Sequence, residues 1–153
     1  MNPPDNLKPT PFLPFYRDGV LDWIDVLGFA MPATWGDVPG EYGAIRNAVA
    51  AIEFSVLLKY EVTGPGAIAT VDAVFSRDVG RLGAGKIAYG VIVTDDGYMI
   101  DDCTVFVHGP EHVQVIGGSE HIGASLHRAA RPGTVIAERR DEQTISHDEL
   151  LAE

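Results

Sequence analysis

Tyr89 and Asp102 are the residues whose types and spacing could do chemistry together. They lie on either side of the pair Asp96-Gly97, which separates two β-branched apolar runs. An Asp-Gly pair between such runs predicts a β-hairpin with a two-residue turn, because both turn residues must tolerate positive φ. A phenol and a carboxylate on one otherwise apolar face indicate a ligand site, since polar groups in apolar surroundings need partners.

The predicted turn determines the register of the hairpin over residues 86–106. Residues equally far from the turn face each other, which pairs Val93 with Ile100, Ile92 with Asp101, Val91 with Asp102 and Tyr89 with Thr104. Because side chains alternate between faces, one face carries Tyr89, Val91, Asp102, Thr104 and Phe106. Tyr89 and Asp102 are then diagonal neighbours, roughly 7 to 8 Å apart at their backbones. We expect their face to point inward and Asp101 to point outward.

These residues also have ordinary structural interpretations. Asp102 could be a hairpin aspartate without a ligand, and Tyr89 could be a core aromatic, as an aromatic on the inner face of a strand usually is. Cys103 is the only cysteine, so no intrachain disulfide is possible, and we expect it to be a small core residue. The five histidines lack metal-ligand spacing, so no metal site is predicted; they are His108, His112, His121, His127 and His147.

The acidic composition limits the classes of partner. Lysine and arginine number 11 against 22 aspartates and glutamates, a formal net charge of -11 over 153 residues. Nucleic acids and anionic membranes are bound chiefly by clustered Lys and Arg, so we expect neither. No apolar run approaches the roughly 18 to 20 residues of a membrane span, and the proline-rich N-terminus lacks an apolar signal core. We expect one cytoplasmic domain of ordinary size.

The elements around the hairpin predict an α+β fold, mainly an antiparallel sheet with packed helices. Proline at 39 opens a helix expected to reach about Glu53, whose inward face is Ile45, Ala48, Val49 and Ile52. Strands are predicted at residues 57–63, 113–116 and 133–138, and further helices from Pro65 and from Ser119 to about Ala130. Three regions follow: a proline-rich arm and irregular lead-in segment at 1–35, a domain at 36–140, and a polar tail at 141–153.

Five short motifs resemble the aminomethyltransferase superfamily in order and spacing. They are residues 41–49 (EYGAIRNAV), 60–65 (YEVTGP), 76–79 (SRDV), 85–89 (GKIAY) and the hairpin itself. This is the folate-binding fold of the glycine cleavage T-protein and of tetrahydrofolate-dependent demethylases. The resemblance covers most of this chain but less than half of a family member, so it implies the N-terminal half of that fold.

The resemblance implies roles for particular residues. Asp102 matches the acidic residue beside the folate that assists methylene transfer, and Tyr89 matches a folate-contacting tyrosine. The implied cofactor is tetrahydrofolate. The cofactor-binding residues are then Tyr89, Asp102, Leu57, Val91 and Thr104, with Asp102 also catalytic.

Several positions depart from the family's pattern. Val56 replaces a histidine, Leu57 a methionine and Phe106 a tyrosine, and an asparagine is replaced by Gly117 or Gly118. The glutamate and arginine that hold the pterin and the glutamyl tail belong to the half that this sequence does not contain. By this resemblance the chain cannot complete the site alone.

Two classes of function remain open. The first is the small subunit of a split tetrahydrofolate-dependent methyl or aminomethyl transferase, expected to be a demethylase, working with a second chain. The second is a non-catalytic module of the same fold that stabilises a larger complex or a homo-oligomer. The departures favour the module, and retention of Tyr89 and the Ile-Asp-Asp turn favours the enzyme. An unpaired strand edge around residues 134–145 predicts a partner under either reading. The methyl donor is left open between an amine, a sulfonium and an aryl ether.

Overall fold

The structure is a computed structural model that describes residues 2–16 and 18–139. Its elements are α1 (Leu13–Tyr16), β1 (Asp22–Val26), β2 (Phe29–Thr34), α2 (Val38–Asn47), β3 (Leu58–Thr63), α3 (Ala67–Asp72), β4 (Lys86–Val93), β5 (Met99–Gly109), β6 (His112–Gly117), α4 (His121–Ala129) and β7 (Val135–Glu138). A single 3₁₀ turn at Val79–Arg81 lies between α3 and β4 in this part of the chain. The described residues fall into two compact units, one before Leu57 and one from Leu57 onward.

The second unit is built on an antiparallel sheet with the order β4-β5-β6-β3-β7 in the described residues. Alternate side chains of its strands enter one core together with apolar residues of α3 and α4. That core includes Tyr60, Val62, Ile92, Val105, Val113, Val115, Val71, Ile122 and Leu126. The period of two along the strands and the helical spacing of the helix residues explain why these positions meet. The predicted α+β fold with a mainly antiparallel sheet is confirmed.

The register around the predicted site is confirmed, although the turn of the hairpin is not. Tyr89 pairs with Thr104 and Val91 pairs with Asp102, as predicted. The turn has three loop residues instead of two: the Gly97 N–H donates to the Thr94 carbonyl at 2.9 Å. Of the loop residues Gly97 alone has positive φ, at 85°. A type I turn followed by a left-handed glycine is the usual three-residue alternative to the two-residue hairpin.

A bulge restores the register further along the hairpin. Val93 pairs with Met99 and not with Ile100, so the predicted Val93 to Ile100 pair is wrong. Ile100 is the extra residue on β5, because Ile92 already pairs with Asp101. The additional loop residue and the additional strand residue cancel each other, so the pairs beyond them keep the predicted partners.

The two faces of the hairpin are the reverse of the prediction. Ile92 is fully buried beneath the helices, whereas Tyr89 is 61% exposed. Asp101 lies on the helix side, where its Oδ2 accepts the N–H groups of Gly118 at 2.6 Å and Ser119 at 2.9 Å. The prediction of an inward Tyr89 and an outward Asp101 is therefore wrong. Apolar side chains occupy both faces of this hairpin, and the position of α3 and α4 decides which face is covered.

The first unit contains a hairpin where an irregular segment was predicted. β1 and β2 pair antiparallel from Asp22 to Thr34. Their turn residues, Leu27 and Gly28, have φ of 54° and 85°, the positive pair that a two-residue hairpin requires. Leucine rarely adopts this conformation, so Leu-Gly is not a recognisable turn signal. The arm joins this hairpin, because the Lys8 N–H donates to the Gly28 carbonyl at 2.9 Å.

Helix α2 is shorter than predicted. It ends at Asn47 instead of near Glu53, and the residues predicted to face inward are exposed, Ile45 by 57% and Val49 by 86%. Its start is defined by Asp37, whose Oδ1 accepts the Gly40 N–H at 3.1 Å.

Two further predictions on the second unit, the core position of Cys103 and the capping role of Ser119, agree with the structure. Cys103 is buried in the core, and burial raises the pKa of its thiol to about 12. The Ser119 hydroxyl accepts the His121 N–H at 3.2 Å at the start of α4. None of the described helices is long and apolar enough to cross a membrane. The predicted tail at 141–153 lies outside the described residues.

Candidate functional site

The face of the β4–β5 hairpin that points away from α3 and α4 brings four of the predicted site residues together. Tyr89 and Thr104 form one cross-strand pair, and Val91 and Asp102 form the next pair on the same face. Paired side chains of an antiparallel sheet are neighbours, and so are diagonal ones when the side chains are long. The pattern of alternating residues therefore places a phenol, a carboxylate, a hydroxyl and an apolar side chain in one patch.

Leu57, the fifth predicted residue, lies at the same end of the sheet. It precedes Leu58, which pairs with Gly117, and Gly117 pairs with Cys103, the neighbour of Asp102. Leu57 is thus level with Asp102 two strands away, roughly 10 Å by the usual strand spacing. A Cβ on Gly118 would lie 3.9 Å from Leu57 Cδ2, so the glycine and the leucine side chain adjoin.

Tyr89 and Asp102 form the polar centre of this patch. The Tyr89 hydroxyl donates to Asp102 Oδ2, and both residues are exposed. This hydrogen bond raises the pKa of Tyr89 above its ordinary value, with smaller contributions from desolvation and from the charges of Asp102 and Asp101. The phenol therefore stays protonated at neutral pH and remains a donor. The carboxylate keeps a second oxygen, Oδ1, that is able to accept a hydrogen bond from a ligand.

Asp101 and two glycines form the turn beside the patch, a role that the sequence analysis missed. The Asp101 carboxylate holds the backbone at Gly118 and Ser119, as described above. A Cβ on Gly117 would lie 2.4 Å from Ile122 Cδ1 and 2.8 Å from Asp101 Oδ2, so no side chain fits there. The Ile-Asp-Asp and Gly-Gly segments can each be recognised in the sequence, but their contact depends on the pairing of β5 with β6.

The same face of the sheet carries a second polar cluster, centred on Glu61, in which both carboxylate oxygens already have hydrogen-bond partners. Glu61 accepts from Gln114 Nε2 at 2.7 Å and Arg139 at 3.4 Å, and His112 Nε2 lies 2.6 Å from its other oxygen. Burial alone would raise the pKa of Glu61, but the hydrogen bonds from these three residues outweigh it and lower the pKa. The His108 ring packs 4.6 Å from that of His112. Glu61 thus has protein partners on both oxygens and is a poorer ligand than Asp102.

The residues of the patch fit one side of a folate. A pterin offers N–H groups to a carboxylate and the face of its fused ring to Val91 and Leu57, and the bare backbone of Gly118 leaves room for a ring to approach. Metal ions are a separate matter: within residues 2–16 and 18–139, no three His, Cys, Asp or Glu side chains cluster closely enough to hold one.

Comparison with known proteins identifies the family. The model of the GCVT N-terminal domain matches residues 19–146. An aminomethyltransferase of Chloroherpeton thalassium is 30% identical over 76% of this chain and 32% of its own length, and one of Bordetella avium is 30% identical over 92% and 40%. A trimethylamine-oxide aldolase of Ruegeria pomeroyi is 36% identical over 59% of this chain and 11% of its own length.

A solved structure agrees with this fold. The glycine cleavage system aminomethyltransferase T of Bartonella henselae superposes with a TM-score of 0.71 at 15% identity, covering 87% of this chain and 38% of that one. The chain therefore spans about a third of the length of the aminomethyltransferases it matches, and it lies in their N-terminal part. By its match over residues 19–146, this chain belongs to the GCVT N-terminal domain family.

Proposed function

We propose that this chain is the small subunit of a tetrahydrofolate-dependent one-carbon transferase. The observation that carries the proposal is the Tyr89–Asp102 pair on an open sheet face, beside Val91, Thr104 and the bare backbone at Gly118. Membership of the aminomethyltransferase fold gives that pair a ligand of suitable chemistry.

The residues of this chain would act on the cofactor by position and charge. Tetrahydrofolate, when bound, supplies the nitrogen that accepts the one-carbon unit. Tyr89 holds Oδ2 of Asp102, which fixes the orientation of the carboxylate and leaves Oδ1 to accept a hydrogen bond or a proton. Val91, the cross-strand neighbour of Asp102, and Leu57 offer apolar surface on which the ring of the cofactor would pack.

A second chain is part of the proposal. The aminomethyltransferases matched here are between two and three times as long as this chain. Tyr89 is mostly exposed, and an exposed half-site with one carboxylate cannot surround a pterin. We propose that a second polypeptide covers this face and contributes the remaining cofactor contacts.

The reaction we propose is a demethylation, in which a small molecule donates the one-carbon unit. An amine, a sulfonium and an aryl ether are all chemically suitable donors. We would test amines first, because one protein similar to this chain is a trimethylamine-oxide aldolase.

A non-catalytic module is the second candidate. What favours it is the resemblance described above, by which Val56 and Phe106 stand where the family has a histidine and a tyrosine, so that polar groups of the site are lost. In that case the same face would bind a partner without turnover.

Replacing Asp102 by asparagine tests the proposal. In the assembly isolated from the native cells, Asp102→Asn should lower one-carbon transfer to tetrahydrofolate by roughly a hundredfold or more while the assembly keeps its mass. Asp96→Asn, in the exposed turn of the same hairpin, is the matched control and should leave turnover unchanged. Unchanged turnover in Asp102→Asn would remove Asp102 from the mechanism. No turnover in the wild-type assembly with any of the three donor classes would favour the module.

A further inference from the structure

A row of exposed apolar side chains begins on α2 and continues past its end. Its members are between 57% and 86% exposed and are Val38, Tyr42, Ile45, Val49 and Ile52. Their separations are four, three, four and three residues. This is the spacing of the apolar positions through which one helix pairs with another in a coiled coil. We call these five residues the α2 stripe.

The helix stops in the middle of the α2 stripe, although the sequence after it favours a helix. Residues 48–52 are Ala-Val-Ala-Ala-Ile, without glycine or proline, and alanine has the highest helix propensity. Short helices in proteins are stabilised mainly by packing of their apolar face. Val49 and Ile52 are largely exposed in this chain. We infer that the helix ends early because these two side chains have no apolar surface to pack on.

Charged residues beside the α2 stripe indicate what that surface is. Glu41 and Arg46 flank the stripe on opposite sides and are five residues apart. In a parallel pair of helices, a residue at the first of these flanking positions meets the residue five positions later on the other helix. Glu41 of one helix would therefore meet Arg46 of the other. Glu41 Oε1 accepts the Trp35 N–H at 3.3 Å, which leaves Oε2 for an ion pair.

We propose that α2 pairs in parallel with α2 of a second copy of this chain. The helix then continues to Ile52, the two stripes bury each other, and Glu41 of each copy faces Arg46 of the other. A two-fold symmetric contact requires a surface that is complementary to itself. The α2 stripe meets this requirement, because its apolar residues pack on the same residues of the other copy and its two flanking charges are opposite. The net charge of -11 on each copy opposes association at low salt, so the test is made near 0.15 M salt, where charges are screened beyond about 8 Å.

Sedimentation equilibrium of the purified chain tests the pairing. The wild type should show twice the 16.4 kDa mass of one chain as its concentration rises. Ile45→Asp should weaken the dimer about tenfold or more, because it places a charge in the centre of the apolar contact. Val135→Asp, at an exposed apolar position on β7, should leave the dimer unchanged. Far-UV circular dichroism of each variant confirms that it is folded.

Two further variants test the geometry of the pair. Glu41→Arg and Arg46→Glu should each weaken the dimer, and the double variant should restore it, because only a parallel arrangement brings these positions together. Ala50→Pro keeps every apolar side chain of the stripe but prevents the helix from continuing, so it should also weaken the dimer. A wild type that stays at the mass of one chain up to about 1 mM would overturn the proposal. An effect of Val135→Asp equal to that of Ile45→Asp, or no rescue in the double variant, would overturn it as well.

Discussion

Two phenol–carboxylate pairs occur among the residues that the structure describes, and their surroundings separate their roles. Tyr89 and Asp102 lie on an exposed face, where a ligand has access to the carboxylate. Tyr16 donates to Glu53 Oε2 in a partly buried position, and the buried Thr10 hydroxyl donates to the same oxygen at 2.9 Å. The second pair therefore fastens the N-terminal arm to residue 53 within the first unit, and the first pair is the better candidate for a ligand.

The Tyr16–Glu53 contact predicts how stability depends on alkaline pH. Burial, and then the hydrogen bond to Glu53, raise the pKa of Tyr16 from 10.0 to about 12. The contribution of this phenol is complete below pH 10 and is lost as pH rises through 12, because the unfolded chain ionises first. After allowance for its partial exposure, the wild type should lose about 1 kcal/mol of unfolding free energy over this range relative to Tyr16→Phe. Urea unfolding at pH 8 and pH 11.5 measures the difference.

The exposed Tyr98 provides the control for this measurement. Tyr98→Phe should follow the wild type at both pH values. An identical pH dependence in the wild type and Tyr16→Phe would show that the Tyr16–Glu53 hydrogen bond does not hold the arm in solution.

Residue-level prediction worked where partners are close in sequence. Tyr89 and Asp102 are joined by one hairpin, so the register alone was enough to place them on one face. Glu61 and His112 are 51 residues apart, and their contact arises only because β3 and β6 pair. No local pattern contains that information, which is why the polar network was missed.

At the scale of elements, the sequence predicted pairing better than burial. The Asp-Gly signal placed the hairpin and most of its register correctly. It could not predict which face the helices cover, because Val91 and Phe106 make the exposed face as apolar in sequence as the buried one. The predicted end of α2 was wrong for a related reason. Apolar periodicity shows that a helix face is able to pack, but the face packs only where a partner surface is present.

The turn from β6 to α4 supplies a prediction about element packing. Gly117→Ala should lower the free energy of unfolding by about 1 to 3 kcal/mol, since its Cβ would overlap Ile122 and displace the Asp101 carboxylate. Gly118→Ala is the matched control, because the nearest atoms to its Cβ are 3.8 Å away. Its effect should stay within about 0.5 kcal/mol. Urea denaturation of both variants measures this, and equal losses would mean that the glycine contacts do not govern the turn.

On the scale of the whole molecule, the chain matches the N-terminal part of a larger fold. It spans about a third of the aminomethyltransferases that it matches, and the patch around Tyr89 and Asp102 is open. The family and the α+β fold were predictable from five short motifs in order. The second chain, the donor and the retention of cofactor binding are proposals that only the assembled protein is able to test.

The most direct test is the mass of the native protein isolated from its own cells, followed by titration of that assembly with tetrahydrofolate. We expect a second polypeptide in the assembly and tetrahydrofolate binding by the pair, with no binding by this chain alone. Pairing through the α2 stripe is independent of this result, because it concerns copies of this chain only. A native protein that contains this chain only and has no affinity for tetrahydrofolate would contradict the account and leave the fold a binding module.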